Sequence, residues 1–409
     1  MWKTMIDRLL RGMIVDGRLT LHWPDGSTSR YGPGGKIEVE GRLTDESILR
    51  DIALRPRLGI GEGYMDGRLT LVDDDCYSFL ALMVRNLHRG NMPRWFRAAE
   101  ALRSATPALA TRNGLARSSR NVQHHYDISD ELYARMLGED MQYSCAYFAR
   151  PGLSLDEAQA AKKAHIAGKL LLEPGMHVLD IGCGWGGMAL TLARDYGARV
   201  TGVTLSQNQL ATAQARAEKA GLAEQVEFRL IDYRKLDEKF DRVVSIGMLE
   251  HVGLPQLPTY FNRLHDLLAP DGVALIHTIG NLAKPHATSP WLAKYIFPGG
   301  YIPAQSELSP AIENARLATT DLEVWRGHYG PTLHAWRDRF ESSLDWVRRH
   351  YDERFIRMWR FYLCGCEAAF VEGPQAVFHY QLARDQHAVP VTRNYLYRQD
   401  AAQMLHAAQ

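Results

Sequence analysis

Short apolar runs alternate with stretches of helical periodicity through the middle of the chain, between residues 178 and 278. The predicted strands cover residues 178–181, 199–205, 226–232, 241–248 and 272–278. The predicted helices cover residues 188–196, 206–221 and 257–268, and the second of them would open with a capping box between Ser206 and Gln209. This alternation predicts an α/β fold with a mostly parallel, doubly wound sheet that holds its ligand at the carboxyl ends of the strands.

A cluster of glycines follows the first of these strands directly, in the segment Asp-Ile-Gly-Cys-Gly-Trp-Gly-Gly at residues 180–187. Glycine permits positive backbone angles and close approach of a ligand, and the helix that begins at residue 188 would point its N-terminus at the same place. The cluster therefore indicates a nucleotide-like cofactor, with a plain strand-to-helix turn as the alternative. Dinucleotide enzymes carry an acidic residue at the end of the second strand to hold the ribose. Residues 204–206 and Gln209 are neutral at that place, which argues against NAD.

The N-terminal residues 1–103 have a different pattern. Strands are predicted at residues 17–22, 27–31, 36–40 and 68–72, and helices at residues 45–55 and 77–88. The residues expected to interrupt the chain between them are Gly59, Gly61, Gly63 and Gly67. We predict a small α+β domain without a catalytic constellation, and we interpret it as a structural or lipid-contacting appendage.

Two further stretches could contact lipid. Residues 104–123 are rich in small and polar residues without an apolar period, which predicts a linker. Its arginines are typical of solvated charge, with contact to anionic headgroups as the alternative. A helix predicted at residues 346–363 has apolar and aromatic residues on one side and arginines elsewhere. That helix either packs on its own domain or meets phospholipid headgroups.

Composition narrows the class of protein. Lys and Arg number 48 and Asp and Glu 47, a formal charge of +1, so no net charge indicates a nucleic-acid partner. The chain has neither a signal-peptide pattern nor a run of 18 apolar residues, and we expect a soluble, cytoplasmic protein. The 5 cysteines are scattered and lack the spacing of a zinc site, so we predict neither a disulfide framework nor a bound metal.

Several short blocks carry a more specific signal than the glycine turn. They occupy residues 125–127, 143–147, 178–187, 247–253, 275–280 and 294–300. With these blocks the chain resembles the cyclopropane-fatty-acyl-phospholipid synthase and mycolic acid cyclopropane synthase family, over residues 124–370. The resemblance implies that residues 124–409 form a Rossmann-like class I S-adenosylmethionine-dependent methyltransferase domain. It also implies that the N-terminal domain is the extra domain of the phospholipid-acting members.

The resemblance implies an activity as well. In this family the double bond of an unsaturated acyl chain attacks the methyl group of S-adenosylmethionine, and the resulting carbocation loses a proton to close a cyclopropane ring. The residues assigned by resemblance to the methyl donor are Tyr143, Ser144, Gly182, Gly184, Thr204, Gln209, Asp232 and Tyr233. The aromatic residues able to stabilise a nearby cation are Tyr143, Tyr147, Phe148, Tyr295, Phe297, Tyr301 and Tyr329. For Trp185 both cofactor contact and simple packing stay open.

The base is, by the same resemblance, a bound bicarbonate ion. The residues implied to form its cage are Cys145, through its backbone, and Glu250, His277, Ile279 and Tyr329. A carboxylate can accept the ion's O–H, while imidazole, phenol and backbone N–H groups donate to its oxygens. For Glu250 the alternative is a helix-capping role.

Cys366 lies in residues 361–370, which match the second cysteine block of the family. It is either a nucleophile or part of the pocket wall. Methyl transfer to an alkene has no acyl intermediate for a thiolate to carry, so we favour the wall.

Two rival functions stay open on the sequence alone. One is a relative that stops at a methylated or methylene-bearing chain, and the other is a catalytically silent lipid-binding protein on the same fold. The expected partner is the surface of a phospholipid bilayer, with the protein peripheral at the inner membrane surface. A homodimer is left open.

Overall fold

The computed structural model describes residues 1–90, Phe96 and residues 129–397. The predicted linker at 104–123 and the block at 125–127 lie outside the described residues. The chain divides into two compact units. The first comprises Met1–Pro107, His286–Pro298 and Tyr329–Gln375, and the second comprises Ala108–Pro285, Gly299–His328 and Ala376–Gln409.

The described helices are α1 (Trp2–Met13), α2 (Glu46–Leu54), α3 (Pro56–Met65), α4 (Cys76–Arg89), α5 (Asp130–Leu137), α6 (Leu155–Lys169), α7 (Gly187–Tyr196), α8 (Gln207–Lys219), α9 (Leu257–Leu267), α10 (Pro290–Tyr295), α11 (Gln305–Asn314), α12 (Tyr329–Ser342), α13 (Leu344–His350) and α14 (Glu353–Val371). The described strands are β1 (Gly17–His22), β2 (Thr28–Gly34), β3 (Glu38–Leu43), β4 (Leu69–Leu71), β5 (His177–Ile181), β6 (Arg199–Thr204), β7 (Val226–Leu230), β8 (Phe240–Ile246), β9 (Leu268–Asn281), β10 (Ala318–Trp325) and β11 (Gln375–Ala383). Short 3-10 helices cover Val72–Asp74, Tyr233–Lys235, Leu249–His251, Leu254–Gln256 and Gln386–Ala388.

The first unit has a four-stranded sheet in the order β2-β1-β3-β4. Two segments that we placed in the catalytic domain, residues 286–298 and 329–375, pack with the N-terminal residues in this unit. Two hydrogen bonds illustrate this packing: the Trp291 indole donates to the Met65 sulfur at 3.2 Å, and the Arg85 guanidinium donates to the Glu372 carboxylate at 2.7 Å. The boundaries of the compact units therefore differ from those of the predicted domains, because the first unit includes these two later segments. The predicted domain boundaries stay a prediction.

The expected interruption at the glycines is wrong for three of them, because α3 continues through Gly59, Gly61 and Gly63. A Cβ on Gly59 would lie 2.6 Å from the Asp51 carbonyl oxygen, and one on Gly61 would lie 2.4 Å from the Trp291 ring. The glycines therefore allow close packing around this helix, which offsets their low helix propensity of about 1 kcal/mol each.

The single helix predicted at residues 346–363 is also wrong. The structure has two helices here, α13 and α14, and the Asp352 carboxylate caps the second by accepting from the Phe355 N–H at 2.7 Å. Val347 and Trp359 are fully buried in their unit, whereas Arg348 is exposed. The apolar side of the segment is thus packed on its own unit.

The second unit has a seven-stranded sheet in the order β10-β11-β9-β8-β5-β6-β7. The strands β7, β6, β5, β8 and β9 are parallel, whereas β10 and β11 pair antiparallel. All five strands predicted in this region are present, and the sequence of strands and helices is that of a doubly wound, Rossmann-like α/β fold. The fold class predicted from the sequence is confirmed.

Successive residues of β5 face opposite sides of this sheet, as the period of a strand requires. Leu179 packs into one apolar core with Phe261 of α9, and Val178 packs into the other with Leu192 of α7. Each such buried side chain contributes about 1.5–3 kcal/mol. The two cores hold the sheet between helices and leave the carboxyl ends of β5, β6, β8 and β9 to carry polar residues.

Among the described residues, no helix has both the length and the apolar character needed to cross a membrane.

Candidate active site

The glycine turn follows β5 at the carboxyl edge of the sheet. Gly182 and Gly184 have φ angles of +77° and +54°, a backbone region that residues other than glycine adopt less often. The N–H of Gly182 donates to the Val203 carbonyl oxygen at 2.9 Å, which ties the turn to β6. A Cβ on Gly184 would meet no described atom within 4 Å. At Gly184 the backbone angle therefore favours glycine, and the main chain there is accessible to a ligand.

The segment that carries Tyr143 and Ser144 is held by a polar face of α6. The Lys162 ammonium donates to the Ser144 hydroxyl at 2.9 Å and to the Gln142 side-chain oxygen at 2.6 Å. The Gln159 amide donates to the Ser144 carbonyl at 2.9 Å. Sequence reasoning missed Lys162 and Gln159. The available signal was their spacing: residues three positions apart share one side of a helix, and Gln159 and Lys162 share theirs with apolar Leu155.

Lys162 and Asp180 are buried ionisable groups beside the glycine turn. Lys162 is 0% exposed, and burial lowers its pKa to about 7. Asp180 is 2% exposed, and burial raises its pKa to about 7, an effect that the Lys162 charge opposes. One oxygen of Asp180 has no hydrogen-bond partner among the described residues. Perturbed buried charges of this kind concentrate at functional sites.

At the end of β6 the residues are neutral and paired with one another. The Thr204 hydroxyl donates to the Gln209 side-chain oxygen at 2.9 Å. The Ser206 hydroxyl accepts from the Gln209 N–H at 3.3 Å, so Ser206 caps α8 as predicted. The reciprocal half of the predicted capping box is wrong, because the Gln209 side chain is bonded to Thr204 instead of the Ser206 backbone.

The pair Asp232 and Tyr233 lies just after β7. Both oxygens of the Asp232 carboxylate are engaged by the Arg234 side chain, at 2.6 Å and 2.8 Å. The Tyr233 ring meets Tyr260 edge-on at 5.7 Å. Both residues are thus held in fixed positions, and their contact with the methyl donor stays a prediction.

Trp185 packs against α5. Its indole N–H donates to the Asp130 carboxylate at 3.2 Å, and its ring lies 5.2 Å from that of Tyr133. With 3% of its surface exposed, Trp185 has the surroundings of a packing residue.

Glu250 lies in the 3-10 helix Leu249–His251, four residues beyond the end of β8. Its Oε1 accepts from the Ile279 N–H of the neighbouring strand β9 at 2.6 Å. Its Oε2 is buried and meets no donor at hydrogen-bond geometry among the described residues. Burial raises the pKa of Glu250 to about 7, against the lowering effect of the Ile279 N–H. In its ionised form the carboxylate is therefore fixed through one oxygen and offers the other as an acceptor.

His277 lies two residues before Ile279 on β9 and is 1% exposed. Its Nδ1 lies 2.7 Å from Nε2 of His379, which is 0% exposed. Burial holds the pKa of both imidazoles well below the usual range, and the Lys162 charge lowers them further. Both rings are therefore neutral near pH 7. His379 is a further site residue that sequence reasoning missed, since no local pattern links positions 102 apart.

Cys145, Tyr329 and Cys366, the remaining predicted catalytic residues, do not all belong to the same compact unit. Cys145 is fully buried in the second unit. Tyr329 and Cys366 belong to the first unit, where the Tyr329 ring lies 4.5 Å from that of Phe370. Burial raises the pKa of the Cys366 thiol to about 12, so the thiol is protonated at neutral pH, which is the opposite of what a nucleophile needs.

A polar cluster lies beside His379. His165, Glu323 and His379 place potential metal-ligand atoms within 4.8 Å of one another. Within this cluster the His165 Nε2 lies 2.7 Å from the Glu323 carboxylate, and the Lys169 ammonium lies 2.6 Å from the same oxygen. An ammonium ion on that carboxylate already provides the cation, so these contacts are those of an ion-pair network.

Residues 114–380 match a family model described as mycolic acid cyclopropane synthetase. The chain belongs to this family. The matched range contains every residue that was assigned to catalysis or to the methyl donor from the sequence.

Individual members of the cyclopropane synthetase family are also similar to this chain. It is 38% identical over 336 residues to the cyclopropane-fatty-acyl-phospholipid synthase of Escherichia coli, an alignment that covers 82% of this chain and 85% of the relative. It is 35% identical over 404 residues to the tuberculostearic acid methyltransferase UfaA1 of Mycobacterium tuberculosis, covering 93% of this chain and 91% of the relative.

A solved structure of the family matches the fold. The mycolic acid cyclopropane synthase CmaA1, crystallised with SAH and CTAB, is 33% identical with a TM-score of 0.61, and the match covers 65% of this chain and 98% of that one. The protein is thus an enzyme, an S-adenosylmethionine-dependent methyltransferase, and its homology supports methylene transfer from that donor.

Proposed function

We propose that the protein is a cyclopropane-fatty-acyl-phospholipid synthase, which transfers a methylene group from S-adenosylmethionine to the double bond of unsaturated phospholipid acyl chains. The observation that carries the proposal is the Glu250 carboxylate: its Oε1 accepts from the Ile279 N–H at 2.6 Å, and its Oε2 is buried and meets no donor at hydrogen-bond geometry among the described residues. This carboxylate lies in a chain that aligns with 85% of the E. coli synthase.

Ring closure needs a base. When the π electrons of the alkene form a bond to the sulfonium methyl carbon, the carbon–sulfur bond breaks and a carbocation is left on the acyl chain. The new methyl group must then lose a proton, and the electron pair of that carbon–hydrogen bond closes the ring. Bicarbonate, when bound, supplies the base for this step.

The residues of the second unit fit that ion. Glu250 Oε2 is an acceptor in need of a donor, and the O–H of bicarbonate is such a donor. Neutral His277 has one ring N–H, which it can donate to an anionic oxygen. When protonated, Lys162 acts electrostatically on His277 and Cys145, and this positive charge favours an anion bound beside His277. In this proposal Ile279 acts by orienting Glu250.

An aromatic wall in the same unit suits a carbocation. Tyr147 stacks on Trp325 at 4.7 Å and on His165 at 4.7 Å. An aromatic face stabilises a nearby cation by about 0.5–2 kcal/mol. We propose that these rings contribute to a dry surface for the cationic chain.

The substrate determines where the enzyme works. The double bond of a phospholipid acyl chain lies inside the bilayer, and no described helix could cross it. We therefore propose that the protein binds at the inner membrane surface and reaches the acyl chain from there.

A second candidate function is transfer of a methyl group without ring closure. It is favoured by the similarity to a tuberculostearic acid methyltransferase, at 35% identity over 404 residues. Both candidates use the same donor and the same alkene, and they differ in the fate of the cation. Direct loss of a methyl proton closes the ring, and loss of a chain proton leaves a methyl-branched alkene. A hydride shift followed by loss of a methyl proton leaves a C=CH₂ group.

The experiment that separates these functions uses vesicles of monounsaturated phospholipid and S-adenosylmethionine labelled with ¹³C in its methyl group. Ring closure places the label in a cyclopropane CH₂. NMR distinguishes this carbon from a methyl carbon and from the =CH₂ carbon of an open chain. We expect ring label in proportion to the S-adenosylhomocysteine released, and none with saturated vesicles. Label in a methyl or methylene carbon would establish the second candidate, and donor binding without transfer would leave a silent lipid-binding protein.

A further inference from the structure

We infer that His379 is a positioning residue that fixes the tautomer of His277, so that His277 carries its proton on Nε2. This inference rests on the proposed function, because it concerns the anion that His277 would contact. The observation behind it is the 2.7 Å contact between His277 Nδ1 and His379 Nε2, between two side chains that are 1% and 0% exposed.

A contact of this length between two neutral imidazoles requires one shared proton. Either His379 Nε2 donates to a bare Nδ1 of His277, or His277 Nδ1 donates to a bare Nε2 of His379. In the first case the remaining proton of His277 is on Nε2 and can be donated to an anion. In the second case Nε2 is bare and would repel one.

The surroundings of His379 Nδ1 decide between the two cases. That nitrogen is buried and has no hydrogen-bond partner among the described residues. In the second case it would carry an N–H group without an acceptor, and orphaned buried N–H groups are rarer in native proteins than under-satisfied acceptors. In the first case it presents only a lone pair.

The charges packed around His379 act in the same direction. The Lys169 ammonium is 0% exposed and contacts Asp321 at 3.1 Å and Glu323 at 2.6 Å. His165 is held on the Glu323 carboxylate, and the Trp325 ring covers His379 at a centroid distance of 3.8 Å. The electrostatic effects of Lys169 and His165 on His379 disfavour added positive charge there. A lone pair on Nδ1 suits this environment better than an N–H group.

The consequence concerns anion binding rather than the methyl donor. With His379 as the donor, His277 already carries its proton on Nε2, so it can donate to an anion without a change of tautomer. Without His379 the neutral His277 would partition between its tautomers and its ring would lose the hydrogen bond that orients it, so the anion would have to select both a tautomer and an orientation. We expect loss of this donor to weaken the response to bicarbonate by about tenfold or more, and to leave affinity for S-adenosylmethionine unchanged.

The direct test is ¹⁵N NMR of the full-length protein labelled at histidine, with His277 assigned through a His277→Gln variant. We expect a bare Nδ1 and a protonated Nε2 on His277 at neutral pH. The opposite tautomer would overturn the inference whether or not bicarbonate has a role, so the two proposals fail separately.

The kinetic test compares two substitutions of the same residue. His379→Gln keeps an amide N–H that can donate to His277, whereas His379→Phe does not. We expect the bicarbonate concentration for half-maximal ring formation to rise about tenfold in His379→Phe and to be largely restored in His379→Gln, with unchanged donor affinity by calorimetry. His387→Gln, an exposed histidine in the same unit, is the control. Equal bicarbonate responses in the two His379 variants would contradict the positioning role, and if His379→Phe does not fold, the tautomer measurement decides.

Discussion

Replacing Glu250 by glutamine tests the proposed chemistry most directly. Glutamine keeps a side-chain oxygen that can accept from the Ile279 N–H, now at 2.6 Å from Oε1, so the local structure should survive. In place of the buried Oε2 it presents an NH₂ group, which cannot accept the O–H of bicarbonate and faces it with a second donor.

The magnitude follows from the bond that is lost. A hydrogen bond to a charged group contributes about 1.5–3 kcal/mol, which corresponds to roughly 10- to 150-fold in rate if the ion must be held during proton removal. S-adenosylmethionine makes no proposed contact with Glu250, so its affinity should change by less than about twofold. The Glu250→Gln variant should therefore bind the donor normally and lose most ring formation.

The assay measures ring formation on monounsaturated vesicles while bicarbonate is varied, including buffer purged of carbon dioxide. Donor affinity is measured separately by calorimetry, and Glu224→Gln, an exposed glutamate in the same unit, is the matched control. Wild-type activity should fall on depletion and recover on addition of bicarbonate. A wild-type rate that is indifferent to rigorous depletion would refute the bound-ion chemistry, and Glu250 or His277 would then be the direct base.

Four further outcomes are expected. Gly184→Val should abolish S-adenosylmethionine binding, since valine is strained at φ +54° and its side chain blocks the main chain; calorimetry with unchanged affinity would contradict this. Cys366→Ser should keep measurable turnover, because a thiol with a pKa near 12 is not a nucleophile at neutral pH; a folded, donor-binding variant without any activity would show the role to be essential. Liposome flotation should increase with anionic lipid and decrease with salt, and binding indifferent to both would indicate purely apolar docking. Burial raises the Glu250 pKa to about 7 in the folded state, so the folded protein binds more protons than the unfolded chain between about pH 4.5 and 7. The free energy of unfolding, relative to that of Glu250→Gln, should therefore fall by roughly 1–3 kcal/mol as pH rises through that window. Urea denaturation that gives the same pH dependence for both proteins would contradict this.

The sequence by itself determined the architecture of the second unit. Buried parallel strands are continuous apolar runs, and the glycine turn after β5 and the Ser154–Glu157 capping box of α6 are local signals that depend on few residues. The capping box is present in full, with Ser154 and Glu157 each bonded to the other's backbone N–H. The energetics of such features are set mostly within a few residues, although at Ser206 only half of the predicted capping box forms, because the Gln209 side chain bonds to Thr204 instead.

Other features depended on contacts that no local pattern encodes. Gly59 and Gly61 lie inside a helix at points where Asp51 and the Trp291 ring pack too closely for a side chain. Tertiary packing there overrides the low helix propensity of glycine. The segment at 346–363 has one apolar side throughout, but an Asp352 cap divides it into two helices. Helical periodicity continues across such a break and therefore does not reveal it.

The candidate site shows the same division. Glu250 was identified because it stands in a recognisable block at the end of a strand, whereas its bond to Ile279 required the pairing of β8 with β9. The contact between His277 and His379 joins residues 102 positions apart in the sequence. The role of Lys162 depends on the position of α6, from which its ammonium donates to the Ser144 hydroxyl. Side chains that orient a reacting group are selected by geometry in three dimensions. Their positions along the chain carry no periodicity, so only the tertiary structure could reveal them.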